Sequence, residues 1–242
     1  MQWKHAAVAS LFLIVGPFTA VGHAKSHLGP AWCQKDGFFC LRVKGGQSWE
    51  SLFPDDRERD MVMRINRTNT MLYPSRVIMV PDNLERADVL DFSPFPVIIE
   101  PQSEKVIVFD PNRHAYAAYD SDGTLLRWGP ATGGAKWCDD IQSGCITDAG
   151  EYRIYTSGNS DCISSKFPLP DGGAPMPYCM FFNGGQAFHG SPGGVIKGNV
   201  SHGCVRLFVE DAEWMRYDFV EPPMAANRYR GTKVVVLPYD TA

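Results

Sequence analysis

From Pro96 onward the chain is written in short runs of β-branched and aromatic residues, PVIIE, KVIVFD, HAYAAYD and LLRWGPAT, cut by the turn signals DPN and SDG. Runs of that length cannot make helices of useful size, and their punctuation suits antiparallel hairpins, so the bulk of the chain is expected to be mainly β. The texture before residue 90 is different. Residues 41–83 read as a strand at LRVKGGQSWESLF, a helical middle at RERDMVMRINR and a closing strand at YPSRVIMVPDN, and the proline-rich LERADVLDFSPFP marks the boundary. Two modules follow, residues 41–83 and 96–210, with residues 211–242 expected to pack on the second as a C-terminal extension.

Charge and targeting narrow the setting. A net charge of -4 without any Lys/Arg run leaves nothing to track a phosphate backbone, so nucleic acid is not an expected partner. At the N-terminus, Lys4 precedes an apolar stretch from Ala6 to Val21, and Gly22-His23-Ala24 supplies small residues for a signal peptidase. Residues 1–24 are expected to be a signal peptide cleaved after Ala24; Gly16 and Pro17 interrupt a run already short for a membrane span, so no stable span is expected after cleavage. The protein is thus expected outside the cytoplasm, in the periplasm or cell wall.

All seven cysteines, 33, 40, 138, 145, 162, 179 and 204, lie beyond that segment, where disulfides persist. Local pairing of Cys33 with Cys40, Cys138 with Cys145 and Cys162 with Cys179 leaves Cys204 alone; metal ligation is the rival, but no C-x-x-C pair or Cys/His cluster has zinc spacing, and no metal or organic cofactor is expected. Cys204 lies in FHGSPGGVIKGNVSHGCVRLF, residues 188–208, with two histidines and five glycines. A nucleophilic cysteine needs a nearby base, a donor for an oxyanion and an exposed position, and this stretch supplies all three.

Two parts of it, His189-Gly190-Ser191 and Ser201-His202-Gly203-Cys204-Val205-Arg206-Leu207, resemble the signature of the L,D-transpeptidase (YkuD) catalytic domain. ATGGA at 131–135, GEYRIYTSG at 150–158 and APMPYCMFFNGGQAFHG at 174–190 follow in that family's order; the departures are Thr147-Asp148-Ala149-Gly150 in place of Thr-Pro-x-Gly and a His189-to-Ser201 gap about one residue short. The resemblance implies a YkuD-type β-sandwich. It also implies that Cys204 attacks the third-residue carbonyl of a peptidoglycan tetrapeptide stem and expels the terminal D-alanine, and that an amine then resolves the thioester. That amine belongs to a neighbouring stem, a protein or a free D-amino acid. His189 would be the base, oriented by a backbone carbonyl near Gly190, and amides around Gly203 and Cys204 would hold the oxyanion. His202 is assigned either to shaping the turn or to the intermediate. Arg206 is assigned to holding a substrate carboxylate or stabilising charge, and Ser201, Gly190, Ser191 and Tyr178 to the substrate site. Hydrolysis of the same thioester, by a carboxypeptidase or amidase, is the alternative, and a non-catalytic wall-binding protein is the alternative from another class.

In the first module, Val43-Lys44-Gly45-Gly46-Gln47-Ser48-Trp49, Ile65-Asn66 and Pro74 through Pro81 resemble a LysM domain. That is a small βααβ fold which binds N-acetylglucosamine-containing glycans such as peptidoglycan and chitin. The resemblance implies glycan strands as a second partner and a role in holding the enzyme on the wall.

Overall fold

A computed structural model describes residues 35–240. The expected signal peptide and Cys33 lie outside these residues. Among the described residues no helix is long and apolar enough to cross a membrane.

The first module runs β1 (Phe38–Arg42), α1 (Trp49–Leu52), α2 (Asp56–Ile65) and β2 (Val77–Pro81), and β1 pairs with β2 antiparallel, Cys40 opposite Met79. Both helices start where an oxygen side chain meets the free amides of the first turn: Ser48 accepts from Ser51 N, and Asp55 from Glu58 N. Asn66 stops α2 and ties it to the strand, donating to Val62 O and Met79 O and accepting from Met79 N. Trp49, Phe53, Val62, Ile78 and Val80 close a core of their own. The indole of Trp49 donates to Thr70 O at 2.8 Å, which fixes the segment after α2.

The second module is one curled nine-stranded sheet of β3 (Val106–Asp110), β4 (Ala115–Tyr119), β5 (Leu125–Thr132), β6 (Gly150–Arg153), β7 (Thr156–Ser157), β8 (Met180–Asn183), β9 (Gln186–Gly190), β10 (Val205–Leu207) and β11 (Lys233–Val236). Its order is β6-β11-β3-β4-β5-β10-β9-β8-β7. The predicted turns are made as their residues dictate. Asp110 Oδ1 accepts from Asn112 N and Arg113 N between β3 and β4, and Asp120 Oδ1 from Asp122 N and Thr124 N between β4 and β5.

The two layers expected of a sandwich are halves of this single sheet. They share β5, which pairs along its length with β4 and offers Ala131 and Thr132 to β10. Ile107 and Phe109 from one half and Phe182 and Phe188 from the other meet in the enclosed core, while Val106 and Val108 turn to the opposite face. Residues 211–242 reach deeper than an extension: β11 sits between β6 and β3, parallel to β3. Helix α3 (Val209–Trp214), continuing as a wider turn over Met215–Phe219, packs into the same core.

The two modules are joined by buried polar contacts. Arg64 of α2 donates to both oxygens of Asp211 on α3, at 2.7 and 2.8 Å, and to Trp128 O at 3.0 Å, and Asp211 is wholly buried. Gly129 makes room for this pair. A Cβ there would lie 2.3 Å from Asp211 Oδ2 and 2.7 Å from Arg64 Nη1.

Candidate active site

Strands β9 and β10 run parallel, with Phe188 opposite Val205, His189 opposite Arg206 and Gly190 opposite Leu207. Since side chains alternate between faces, Phe188, Val205 and Leu207 enter the core, and His189, Arg206 and Cys204 share the other face. There they line a cavity of about 540 Å³ together with Ser191, Ser201 and His202. Residues 163–167, 174–176 and Ser191–Gly193 complete its lining.

Cys204 is the free cysteine among the described residues. Disulfides join Cys138 to Cys145 and Cys162 to Cys179, as the local spacing predicts; Cys40 is also disulfide-bonded. The Cys204 thiol is half-buried and donates to Gly185 O at 3.6 Å. Burial pushes it above its ordinary titration range, opposed by a backbone hydrogen bond at Ala187 and the charge of Arg206. At neutral pH the resting form of Cys204 is therefore the thiol.

His189 is buried, and its Nδ1 lies 2.8 Å from Gly190 O. A carbonyl can only accept, so Nδ1 carries the hydrogen and the lone pair belongs to Nε2. Burial pushes the ring down to about 4, the Gly190 contact working against that shift and the Arg206 charge adding to it. At neutral pH the imidazole is neutral and ready to take a proton.

The turn before Cys204 is tied from inside. Ser201 Oγ accepts from Gly203 N at 3.1 Å and donates to Cys204 O. Gly203 has φ of +113°, a conformation that costs a side-chain-bearing residue dearly, and so Cys204 is preceded by glycine. Thr147, wholly buried, donates to Gly203 O at 2.9 Å and accepts from Gly134 N at 3.0 Å, clamping the turn to the end of β5. Thr147 enters the sequence reading only as part of a motif; its role emerges from this contact.

His202 faces two disulfide-closed loops. Its Nε2 is 2.8 Å from both carboxylate oxygens of Asp140, and its ring stacks on Phe167 with centroids 4.1 Å apart. The hydrogen bond from His202 is the main cause holding the Asp140 carboxyl below its usual range. Ligand atoms of Cys138, Asp140 and His202 lie within 4.8 Å of one another, but the Cys138 sulfur is bound in its disulfide. Two donors remain, fewer than a structural metal site requires. Asp140 is 62 residues from His202, and no spacing rule links them.

The remaining expected site residues divide. Ser191 lines the cavity, its hydroxyl donating to Gly194 O at 2.8 Å. Gly190 sits beneath it, its amide on Pro177 O and a built Cβ only 3.1 Å from Val209 Cα. Tyr178 stands away from the cavity: its hydroxyl donates to Glu213 Oε1 at 2.8 Å and its ring meets Tyr217 edge-on.

With this geometry in hand, comparison with known families is direct: the model of the YkuD L,D-transpeptidase catalytic domain matches residues 104–236, more than half of the 242-residue chain. The chain belongs to this family. The match reaches through β11, which accords with that strand's place inside the sheet of the L,D-transpeptidase domain.

Solved L,D-transpeptidases are similar at low identity. One from Xylanimonas cellulosilytica DSM 15894 (residues 123-326) is 23% identical, with 68% of this chain and 73% of that one covered and a TM-score of 0.48. One from Mycobacterium smegmatis is 22% identical, covering 56% and 59% with a TM-score of 0.42, and one from Stackebrandtia nassauensis is 20% identical, covering 60% and 61% with a TM-score of 0.44. The chain spans less than two thirds of these last two. Comparison with curated proteins gave no match.

Proposed function

We propose that the chain is an exported, cysteine-dependent transpeptidase that acts on peptidoglycan stem peptides. The observation that carries this reading is the shared cavity of a single unpaired thiol and a buried neutral imidazole whose Nδ1 is occupied by Gly190 O. In the first half-reaction the Cys204 S–H turns from Gly185 O to His189 Nε2, which takes its proton. The sulfur bonds to the third-residue carbonyl carbon of the tetrapeptide stem, and the tetrahedral oxyanion collapses as the C–N bond breaks. D-alanine leaves with the proton from His189. In the second half-reaction an acceptor amine gives a proton to His189 and bonds to the thioester carbon, the C–S bond breaks, and the leaving sulfur takes that proton from His189 to become the resting thiol again. The Gly203 amide is already given to Ser201 Oγ, so the Cys204 amide is the oxyanion donor we assign in this conformation. We assign Arg206, in register with His189 and lining the same cavity, to a stem carboxylate.

Incubation of the protein with disaccharide-tetrapeptide, with and without an amine acceptor, followed by mass spectrometry, tests this. Loss of D-alanine with a new amide to the acceptor is expected, and His189→Ala should slow it by about a hundredfold or more, far beyond His202→Ala. A product resolved by water alone would move the reading to a carboxypeptidase, and retention of D-alanine would remove it.

The first module we read as a LysM-like glycan-binding unit that brings the cavity to the wall. The support is its βααβ order with the two strands paired antiparallel. The full chain should sediment with insoluble peptidoglycan and be released by soluble chitooligosaccharide; sedimentation indifferent to the competitor would contradict a glycan site.

A further inference from the structure

The first module does more than adjoin the second, for it holds one wall of the cavity. The loop from Ser191 to Asn199 carries three lining residues, Ser191, Pro192 and Gly193. A Pro-Gly-Gly run has few side-chain contacts with which to fix itself, so its conformation depends on what grips its flanks. Toward its C-terminal side Thr132 Oγ1 donates to Ile196 O at 2.6 Å, and Asn199 Oδ1 accepts from Gly133 N at 3.0 Å. Its middle is gripped from the other module. Asn69 Oδ1 accepts from Val195 N at 2.8 Å, Asn69 N donates to Val195 O at 3.4 Å, and a Cβ built on Gly194 would lie 3.0 Å from Asn69 Oδ1. Val195 is 1% exposed, so its amide has no water to fall back on.

Asn69 is itself placed by its neighbour, because Thr70 O receives the Trp49 indole from the core of the first module. A continuous path therefore runs from Trp49 through Asn69 to Val195 and on to the cavity wall, where Gly194 N bonds back to Ser191 O at 2.9 Å. Resting on the transpeptidase reading of the cavity, we propose that Asn69 is a positioning residue for donor-stem binding, so that the first module is a structural part of the active site as well as its companion in the chain. The wall it sets lines the same cavity as Cys204, His189 and the segment 163–167, so its placement shapes the space left for a donor stem.

The test uses the full chain and tetrapeptide donor. Asn69→Ala leaves the Val195 amide unpaired and should raise the donor KM about tenfold, with kcat changed less than about twofold and the acceptor KM unmoved. Asn69→Asp keeps an acceptor oxygen and should restore the donor KM. Amide exchange at Val195 should quicken in Asn69→Ala and recover in Asn69→Asp. A purely structural role would instead lower the melting temperature and kcat, through a smaller active fraction, while leaving KM alone. That pattern, or unchanged kinetics in Asn69→Ala, overturns the proposal. A wild-type chain that releases no D-alanine fails the transpeptidase reading itself, a result distinguishable from either.

Discussion

Cys204→Ser is expected to lower D-alanine release by at least about 10⁴-fold and to abolish the covalent adduct seen by intact mass with the donor, while the fold survives. The change removes one sulfur from a half-buried site and leaves every backbone bond of the turn in place, because Ser201, Gly203 and Thr147 hold that turn without the thiol. A hydroxyl at this position would face a base whose pKa is near 4, too weak to deprotonate it to any useful extent. The wild-type thiol also has a pH signature. Burial raises it above its ordinary value of 9.0, so the thiolate fraction grows with pH only in the alkaline range. Iodoacetamide should alkylate the ligand-free protein slowly at pH 7 and progressively faster above about pH 9. A fast rate already level between pH 5 and pH 7 would mean a preformed thiolate and imidazolium pair, and transactivation by His189 at the moment of attack would have to be abandoned.

What the sequence showed of this site was its local part. Cys138 with Cys145 and Cys162 with Cys179 are close along the chain, and short loops favour such closures; that left Cys204 unpaired in the reading as in the structure. The hairpins at Asp110 and Asp120 were equally legible, because an aspartate that accepts from amides two to four residues ahead makes its turn with no help from the rest of the fold. The tie of His189 to Gly190 O is likewise a contact between chain neighbours.

The long-range pairings were not legible. Nothing in the residues themselves says that Asp140 will meet His202, that Asn69 will meet Val195, or that β11 will enter the sheet between β6 and β3. Each depends on how β5 joins the two halves of the sheet, and strand order is a property of the assembled core rather than of any run. Tyr178 shows the same thing from the other side. It lies within a stretch shared with the family signature, yet its positive φ of 59° and its bond to Glu213 send its hydroxyl toward α3 rather than the cavity.

Arg64 is the costliest of these unread contacts to lose. Arg64→Leu is expected to destabilise the protein by about 3–5 kcal/mol, a fall of roughly 10 °C in melting temperature for a chain of this size. The reason is the partner left behind. Asp211 has no exposed surface, and without Arg64 its remaining cation is Arg127, 3.5 Å away and itself one-third exposed. A buried carboxylate so poorly compensated must either bear its desolvation or take up a proton, and stability falls in both cases. Trp128 O loses its donor at the same stroke. The double variant Arg64→Leu/Asp211→Leu should recover part of the loss, because it removes the stranded charge along with its partner. The pair also joins the two modules, so deletion of residues 35–92 should destabilise the catalytic sheet by a similar amount, which a freely tethered anchor would not do. A melting temperature within 2 °C of wild type in Arg64→Leu would show that water reaches Asp211 and that the modules hold together by other contacts.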